Sequence, residues 1–220
     1  MKTRHHLLAI TLAAALGAGL SLPALALGDA ARQQLEGIQA RWAEVNYKLP
    51  DKQREAAFAD LAQQAAQAVT AEPAAAELRI WHGIVLSTYA GAKGGLGALD
   101  LVKKAKAELE EALKLDPKAL DGSAYTSLGS LYYQVPGWPL GFGDKTKARE
   151  LLQRALQINP DGIDPNYFYG DFLYRNGDKD AALAALNKAL AAAPRPDQPV
   201  ADQGRREQIR ALINTITTSH

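Results

Sequence analysis

The chain has 220 residues, 47% of them hydrophobic, and 25 Lys and Arg against 24 Asp and Glu. This composition is that of an ordinary globular protein. Because cysteine is absent, disulfides, thiolate metal sites, cysteine nucleophiles and lipid attachment through cysteine are excluded. A formal charge of +1 offers no concentrated basic surface, so nucleic acid is not expected as a partner.

The first residues have the pattern of a cleavable export signal. Lys2 and Arg4 precede an uncharged apolar run over 7–20, and a small-x-small cleavage signal ends at residue 26. Pro23 ends the run before the roughly 20 apolar residues that a membrane anchor needs. We therefore predict a signal peptide over 1–26 and a periplasmic location, with secretion into the medium as the open alternative.

The remaining residues predict one all-α domain over 27–220. Helix-forming residues dominate stretches of about a dozen residues, and no strand-length window alternates between apolar and polar residues. Proline ends these segments at separations of 44, 43 and 34 residues, because it cannot continue a helix; the four stops are Pro73, Pro117, Pro160 and Pro194. Periods of this size indicate stacked helical hairpins.

The finer spacing indicates the type of hairpin. Over 122–160, large, small and aromatic residues recur at the positions of a two-helix repeat: Tyr125, Leu128, Gly129, Tyr132, Ala148, Leu152, Ala155 and Pro160. This pattern resembles the tetratricopeptide repeat family. Over 163–196 the same frame recurs without an insertion, while helix A of the first unit fits only through Gly83.

The resemblance implies a right-handed solenoid of about nine helices. We expect a degenerate hairpin over 29–73 and repeats over about 77–117, 122–160 and 163–196, followed by a C-terminal capping helix over about 202–216. In that helix Ile209 belongs to the apolar face, whereas Arg205 and Arg206 are expected on the solvated outer side, as are the other charges of this segment.

Two insertions depart from the repeat. The frame requires ten extra residues in the first unit and seven in the second, which we place at the turns between helix A and helix B, over 90–97 and 135–143. Because such turns share one edge of a solenoid, we predict that the two segments are neighbours and form a pocket with Lys93, Trp138 and Phe142. The alternative is structural, with Trp138 filling the open edge of the stack.

In this family, side chains of helix A usually line the concave surface. By position, the resemblance implies a polar, hydroxyl-rich and aromatic groove for a ligand, formed by Ser123, Thr126, Ser130, Tyr133, Gln134, Asp164, Tyr167, Asp171, Tyr174 and Arg175. The alternatives are a groove that holds only solvent and a groove filled by the chain's own C-terminal helix.

The sequence offers no catalytic or metal constellation. His82 lies in an apolar helical segment and is expected to be a packed residue. The glycine-rich segment 91–97 lacks the Gly-Lys-Ser/Thr of a phosphate-binding loop. We therefore expect no enzyme, no cofactor and no metal. An enzyme would require His82 to lie exposed in a cleft beside a carboxylate.

These features predict a periplasmic scaffold that binds a small organic ligand or a partner protein and has no membrane span after signal cleavage. The export signal, degenerate hairpins and Gly/Trp-rich insertions resemble the TatT-like component associated with TRAP transporters, which implies an accessory role. Members of that group are commonly lipoproteins, whereas this chain has no cysteine to acylate. The alternative is a peptide- or protein-binding adaptor in envelope assembly. A pocket closed by the insertions would favour the small ligand, and an open continuous groove would favour the polypeptide.

Overall fold

The computed structural model describes residues 27–218, and these residues form nine α-helices and no strand. The predicted signal peptide lies outside the described residues. The helices are α1 (Asp29–Tyr47), α2 (Asp51–Ala71), α3 (Ala76–Lys93), α4 (Gly97–Leu115), α5 (Ala119–Gln134), α6 (Lys145–Ile158), α7 (Ile163–Arg175), α8 (Lys179–Leu190) and α9 (Pro199–Thr218). None of these nine has the length and apolar character needed to cross a bilayer.

The predicted class, an all-α solenoid of helical hairpins, is confirmed. The helices α3 and α4, α5 and α6, and α7 and α8 pack as successive pairs, and they occupy the segments predicted for the three repeats. The helices α1 and α2 precede them. The prolines act as expected, because α2, α4 and α6 each end shortly before Pro73, Pro117 and Pro160.

The two helices of each repeat approach closely at a glycine. A Cβ atom on Gly129 would lie 2.7 Å from Cγ of Leu152, which is inside normal contact distance. Equivalent glycines in the other two repeats meet an equivalent leucine: Gly83 faces Leu109, and Gly170 faces Leu186. The recurrence of this contact is what stacked copies of one hairpin require.

The first insertion is not the loop that the sequence predicted. Helix α3 continues to Lys93 and α4 begins at Gly97, so the turn between them has only three residues. The extra residues lengthen the two helices, to 18 and 19 residues against 13 and 12 in α7 and α8. Alanine, lysine and leucine on both sides of the turn permit longer helices, and the packing of α3 against α4 selects them. Gly94 and Gly95, with φ of 64° and 60°, reverse the chain in the minimum space.

The second insertion does form a loop, and the chain's own hydrogen bonds hold it. Within the segment 135–144, the backbone N–H of Gly143 donates to the carbonyl of Pro136 at 2.9 Å, and that of Asp144 donates to Tyr132 at 2.8 Å. The Asp144 carboxylate then accepts from two backbone N–H groups in the first turn of α6. Trp138 stands at the tip of this loop and is 91% exposed.

The last helix closes the solenoid on itself. The helices α1, α3, α5, α7 and α9 each contact the next, and α9 also contacts α1, so the five form a ring. The predicted solvated outer face of α9 is therefore wrong for Arg205, which is only 8% exposed, and for Arg206, whose side chain is 17% exposed. Both arginines turn inward because carboxylates of α7 and α9 pair with them there. Ile209 is buried, as expected.

Candidate functional site

The ring of helices encloses a groove of about 1450 Å³. Its walls come from all five helices of the ring, with contributions from the first half of α2 and from the connections before α7 and α9. Small-molecule sites usually occupy about 300–1,000 Å³, so this groove has room for a larger ligand or for a short stretch of polypeptide.

The structure brings together eight of the thirteen residues that the sequence singled out. The eight that line the groove are Ser123, Thr126, Ser130, Gln134, Asp164, Tyr167, Asp171 and Arg175. They come from α5 and α7, the two helices whose repeat frame was clearest in the sequence. The five that do not line it are Lys93, Tyr133, Trp138, Phe142 and Tyr174.

The predicted pocket beneath the two insertions is wrong, because neither insertion places its chosen side chain over the groove. Lys93 binds Glu55 of α2 at 3.4 Å and lies over the ring of Tyr89. Phe142 packs edge-on against Tyr132, with 5.4 Å between ring centroids, and Trp138 points into solvent. Of these segments, only Gly91 and Ala92 of α3 reach the groove lining.

The two tyrosines that do not line the groove, Tyr133 and Tyr174, contact other residues of the protein. The hydroxyl of Tyr133 donates to Oδ2 of Asp171 at 2.7 Å, and the Arg175 guanidinium lies over its ring. Burial and the neighbouring Asp171 carboxylate raise the pKa of Tyr133 well above its usual value. Tyr174 packs against the hydrophobic core around Phe172. Tyr133 therefore supports a groove carboxylate from behind.

One face of α5 presents hydroxyl groups to the groove. Ser123, Thr126, Ser127 and Ser130 follow the i, i+3, i+4, i+7 spacing that places side chains on one helix face. Within the described chain, the hydroxyls of Ser123, Thr126 and Ser127 have no hydrogen-bond partner, although Thr126 is only 4% exposed. Because these hydroxyls open onto the groove and are not buried in the core, this set, the hydroxyl face of α5, can hydrogen-bond to a polar ligand.

The chain enters α5 through a left-handed turn that the sequence analysis missed. Leu120, Asp121 and Gly122 have φ of 48°, 54° and 75°. Left-handed geometry costs an L-residue such as Leu120 about 1–2 kcal/mol, and such strain clusters at functional sites. The turn carries Leu120 and Asp121 into the groove lining. The only sequence signal was the Asp-Gly pair, which favours turns with positive φ.

An arginine of α9 occupies the α7 end of the groove. Nε of Arg205 donates to Oδ1 of Asp164 at 2.7 Å, and its guanidinium carbon lies 4.4 Å from the ring centroid of Tyr167 and 4.8 Å from that of Phe168. Arg195 donates to the other oxygen of Asp164, also at 2.7 Å. Burial acts to raise the pKa of Asp164, but the two guanidiniums outweigh it and hold that pKa below its usual value.

A second carboxylate of α7 is paired in a similar way. Nε of Arg175 lies 3.0 Å and 2.9 Å from the two oxygens of Asp171. The Arg175 side chain is 56% exposed whereas that of Asp171 is 11% exposed, so the guanidinium covers the carboxylate from the solvent side. At Asp164 and at Asp171, a carboxylate, an arginine and an aromatic ring are therefore in contact with one another.

The N-terminal part of the groove has an aromatic wall, which sequence reasoning also missed. Trp42, Tyr47 and Trp81 line it, and the Trp42 ring packs edge-on against the other two at centroid distances of 5.7 and 5.6 Å. Nε1 of Trp42 donates to Oγ1 of Thr88 at 3.0 Å. Because helices α1 and α3 follow the repeat frame poorly, position within the repeat did not single these residues out.

Negative charge exceeds positive charge around the groove. The lining contains six carboxylates, of Asp51, Asp121, Asp161, Asp164, Asp171 and Asp197, against four guanidiniums, of Arg54, Arg175, Arg195 and Arg205. Each guanidinium has a carboxylate partner. Among the described residues, Asp121 and Asp197 have no cationic partner, so the charge that remains uncompensated in the groove is negative.

His82 lies beside a carboxylate but away from the groove. Its Nδ1 is 3.3 Å from Oε1 of Glu108, without the alignment of a hydrogen bond, and its side chain is 12% exposed. Arg79 binds the other oxygen of Glu108 at 2.8 Å, and the neighbouring His82 and Arg79 lower the pKa of Glu108. In the part of the chain that the structure describes, no group of three or more His, Asp or Glu could hold a metal ion.

Comparison with protein-family models agrees with this architecture. Two family models, both described as tetratricopeptide repeat, match residues 97–163 and 140–202. No curated protein matches the sequence. Among solved structures, the chain is similar to MamA, with 21% identity over 76% of this chain and 91% of that one at a TM-score of 0.44. It is also similar to TTC0263, a thermophilic TPR protein of Thermus thermophilus, with 16% identity over 83% and 98% at a TM-score of 0.43. Over residues 97–202, the chain is thus similar to the tetratricopeptide repeat family.

Proposed function

We propose that this protein is an exported, non-catalytic tetratricopeptide scaffold whose ring-enclosed groove binds a polar ligand in the periplasm. The observation that carries the proposal is Thr126, a residue only 4% exposed whose hydroxyl has no partner among the described residues and which lines the groove. Ser123 and Ser127 repeat the arrangement on the same helix face. A ligand with hydrogen-bonding groups would satisfy all three, at roughly 0.5–1.5 kcal/mol for each bond.

The shape of the groove limits the kind of ligand. Because α9 contacts α1, the groove is surrounded by helices, and a folded partner domain would not enter it. A small organic ligand or a short flexible segment of a partner protein would. The ring of helices supports the small-ligand hypothesis, although neither insertion covers the groove as that hypothesis expected. The TatT-like resemblance would then imply an accessory role beside a TRAP-type transporter.

The size of the groove favours a second candidate. A volume of about 1450 Å³ exceeds the usual range of small-molecule sites, which supports the alternative of a peptide-binding adaptor in the cell envelope. In that case the polypeptide would lie along the hydroxyl face of α5, whose side chains can bond to the main chain of an extended segment.

Native mass spectrometry of the chain purified from a periplasmic extract tests the proposal. We expect a bound species that denaturation releases, and its mass separates an organic molecule from a peptide. The variant Thr126→Val removes the hydroxyl at nearly constant shape and should lose that species. The matched control Thr70→Val, at an exposed site on α2 outside the groove, should retain it. A chain that emerges empty, or equal occupancy of both variants, would contradict the proposal.

Export has its own test. Cell fractionation should place the protein in the periplasm, and sequencing of the purified protein should begin at Leu27. A chain that begins at Met1 and stays in the cytoplasm would overturn the proposed location without affecting the groove.

A further inference from the structure

Two arginines of the groove are held by the same kind of contacts. Arg205 enters between the Asp164 carboxylate and the rings of Tyr167 and Phe168. Arg175 lies on Asp171 with the ring of Tyr133 beneath it. In both cases a guanidinium meets a carboxylate on one side and an aromatic face on the other, which combines a charge-assisted hydrogen bond with a cation–π contact.

A third carboxylate of the groove has no such partner. Asp121 lies in the lining, where the left-handed turn at the start of α5 places it, and no cation of the described chain pairs with it. It adjoins the hydroxyl face of α5, where the hydroxyl of Thr126, a residue only 4% exposed, also has no partner among the described residues. An uncompensated carboxylate and unpaired hydroxyls on one wall are suited to an ammonium or guanidinium group, because such a group donates several hydrogen bonds and accepts none.

We propose that the groove selects an organic cation and that Asp121 is its charge partner. This inference rests on the proposed function, since it names the chemical class of the ligand that the same groove binds. The cation is supplied either by a free amine or by a lysine or arginine side chain of a polypeptide. An organic anion is disfavoured, because it would meet six carboxylates and only guanidiniums that are already paired.

Calorimetric titration of the purified chain with a matched probe series tests the selectivity. The probes are spermidine, the capped peptide Gly-Arg-Ser-Arg-Gly, and the same peptide with citrulline or glutamate in place of both arginines. Citrulline keeps the shape of arginine and loses its charge. We expect at least one cationic probe to bind, and the citrulline peptide to bind at least about tenfold more weakly than the arginine peptide if the latter is the one that binds. Binding of spermidine alone identifies a free amine as the source, and binding of the arginine peptide alone identifies a polypeptide.

Asp121→Asn tests the assigned residue. Asparagine tolerates the left-handed backbone as aspartate does, so the turn should survive while the charge is lost. We expect about a tenfold weaker affinity for the cationic probe and an unchanged affinity in the matched control Asp60→Asn, which changes an exposed carboxylate outside the groove.

Three results would overturn the inference: no binding of either cationic probe, equal affinity for the arginine and citrulline peptides, or no effect of Asp121→Asn. Failure of the inference and failure of the proposed function are distinguishable. The mass-spectrometric experiment could find a neutral or anionic species that is bound to the parent protein and lost in Thr126→Val. In that case the groove would still be a ligand site, and only its proposed selectivity for cations would be wrong.

Discussion

The ring of Tyr47, at the end of α1, lies directly against the backbone of Gly204 in α9. The Tyr47 hydroxyl also donates to Oε1 of Gln208, one turn further along α9, at 3.2 Å. These contacts join the first and the last helix of the described chain and complete the ring around the groove. A solenoid that ended in an ordinary capping helix would leave this side open.

The variant Gly204→Ala tests whether this contact holds the ring closed. A Cβ atom at this position would overlap the Tyr47 ring, and overpacking of this kind usually costs about 1–3 kcal/mol. We expect a loss of this size in the free energy of unfolding, measured with urea. Hydrogen exchange of the α9 amides should accelerate more than that of α3 to α6, since only α9 must shift.

Gly37→Ala is the matched control. Gly37 is an exposed residue of α1, and a methyl group added to its Cα would have no other atom within 4 Å. The same substitution there should leave the stability unchanged or raise it by up to about 1 kcal/mol, because alanine favours a helix interior. Equal stability of both variants would mean that Tyr47 moves away freely and that the ring does not depend on this contact.

The ion pairs of Asp164 predict a dependence on pH. Two guanidiniums hold the pKa of this carboxyl below its usual value, so the unfolded chain takes up a proton at a higher pH than the folded chain does. The stabilisation is therefore complete at neutral pH and is lost as the pH falls from about 4 through the folded-state pKa. Asp164→Asn should reduce the stability at pH 7 by about 1–3 kcal/mol, because Arg205 loses a charged partner.

Urea unfolding at pH 7 and pH 3 measures this dependence. The difference between the two free energies of unfolding should be smaller in Asp164→Asn than in the parent protein, whereas Asp60→Asn should keep the parent's difference. An identical difference in all three proteins would show that the Asp164 pairs contribute nothing to acid sensitivity.

The helices and much of the groove follow from local rules, so the sequence could predict them. Prolines mark the helix ends because they cannot continue a helix, and Gly129 marks the closest approach of two helices because no side chain fits there. Once that frame is set, the resemblance to the tetratricopeptide repeat implies that Thr126 and Asp164 face the concave surface, and both side chains line the groove.

The remaining features depend on contacts between segments far apart in the sequence. Arg205 and Asp164 are 41 residues apart in the sequence. A charged residue on a terminal helix is expected to be exposed to solvent unless its partner is known. The ten extra residues of the first repeat fit either a loop or longer helices, and only packing decides between them. The left-handed conformation of Leu120 has almost no local signal, because leucine rarely adopts it.

The exposure of Trp138 predicts that its side chain contributes little to the stability of the fold. Its side chain is 91% exposed, whereas Trp42 and Trp81 are each 8% exposed. Trp138→Ala should change the free energy of unfolding by less than about 0.5 kcal/mol and should remove the most red-shifted part of the tryptophan emission. Trp81→Ala should instead cost about 3–5 kcal/mol. A large loss of stability in Trp138→Ala would show that the loop tip packs against the protein.

Gly129→Leu tests the repeat architecture itself. A Cβ atom on Gly129 would lie 2.7 Å from Cγ of Leu152 and 3.2 Å from its backbone nitrogen. The side chain could yield by rotating, but the backbone of α6 could not, so α5 and α6 must separate. We expect a loss of at least about 1–3 kcal/mol in urea unfolding. Gly37→Leu, which places the same side chain on an exposed helix face, should leave the unfolding midpoint within error or raise it slightly. If Gly129→Leu melted like Gly37→Leu, the two helices would not be packed at this glycine, and the repeat frame that positions Ser123 and Thr126 at the groove would be wrong.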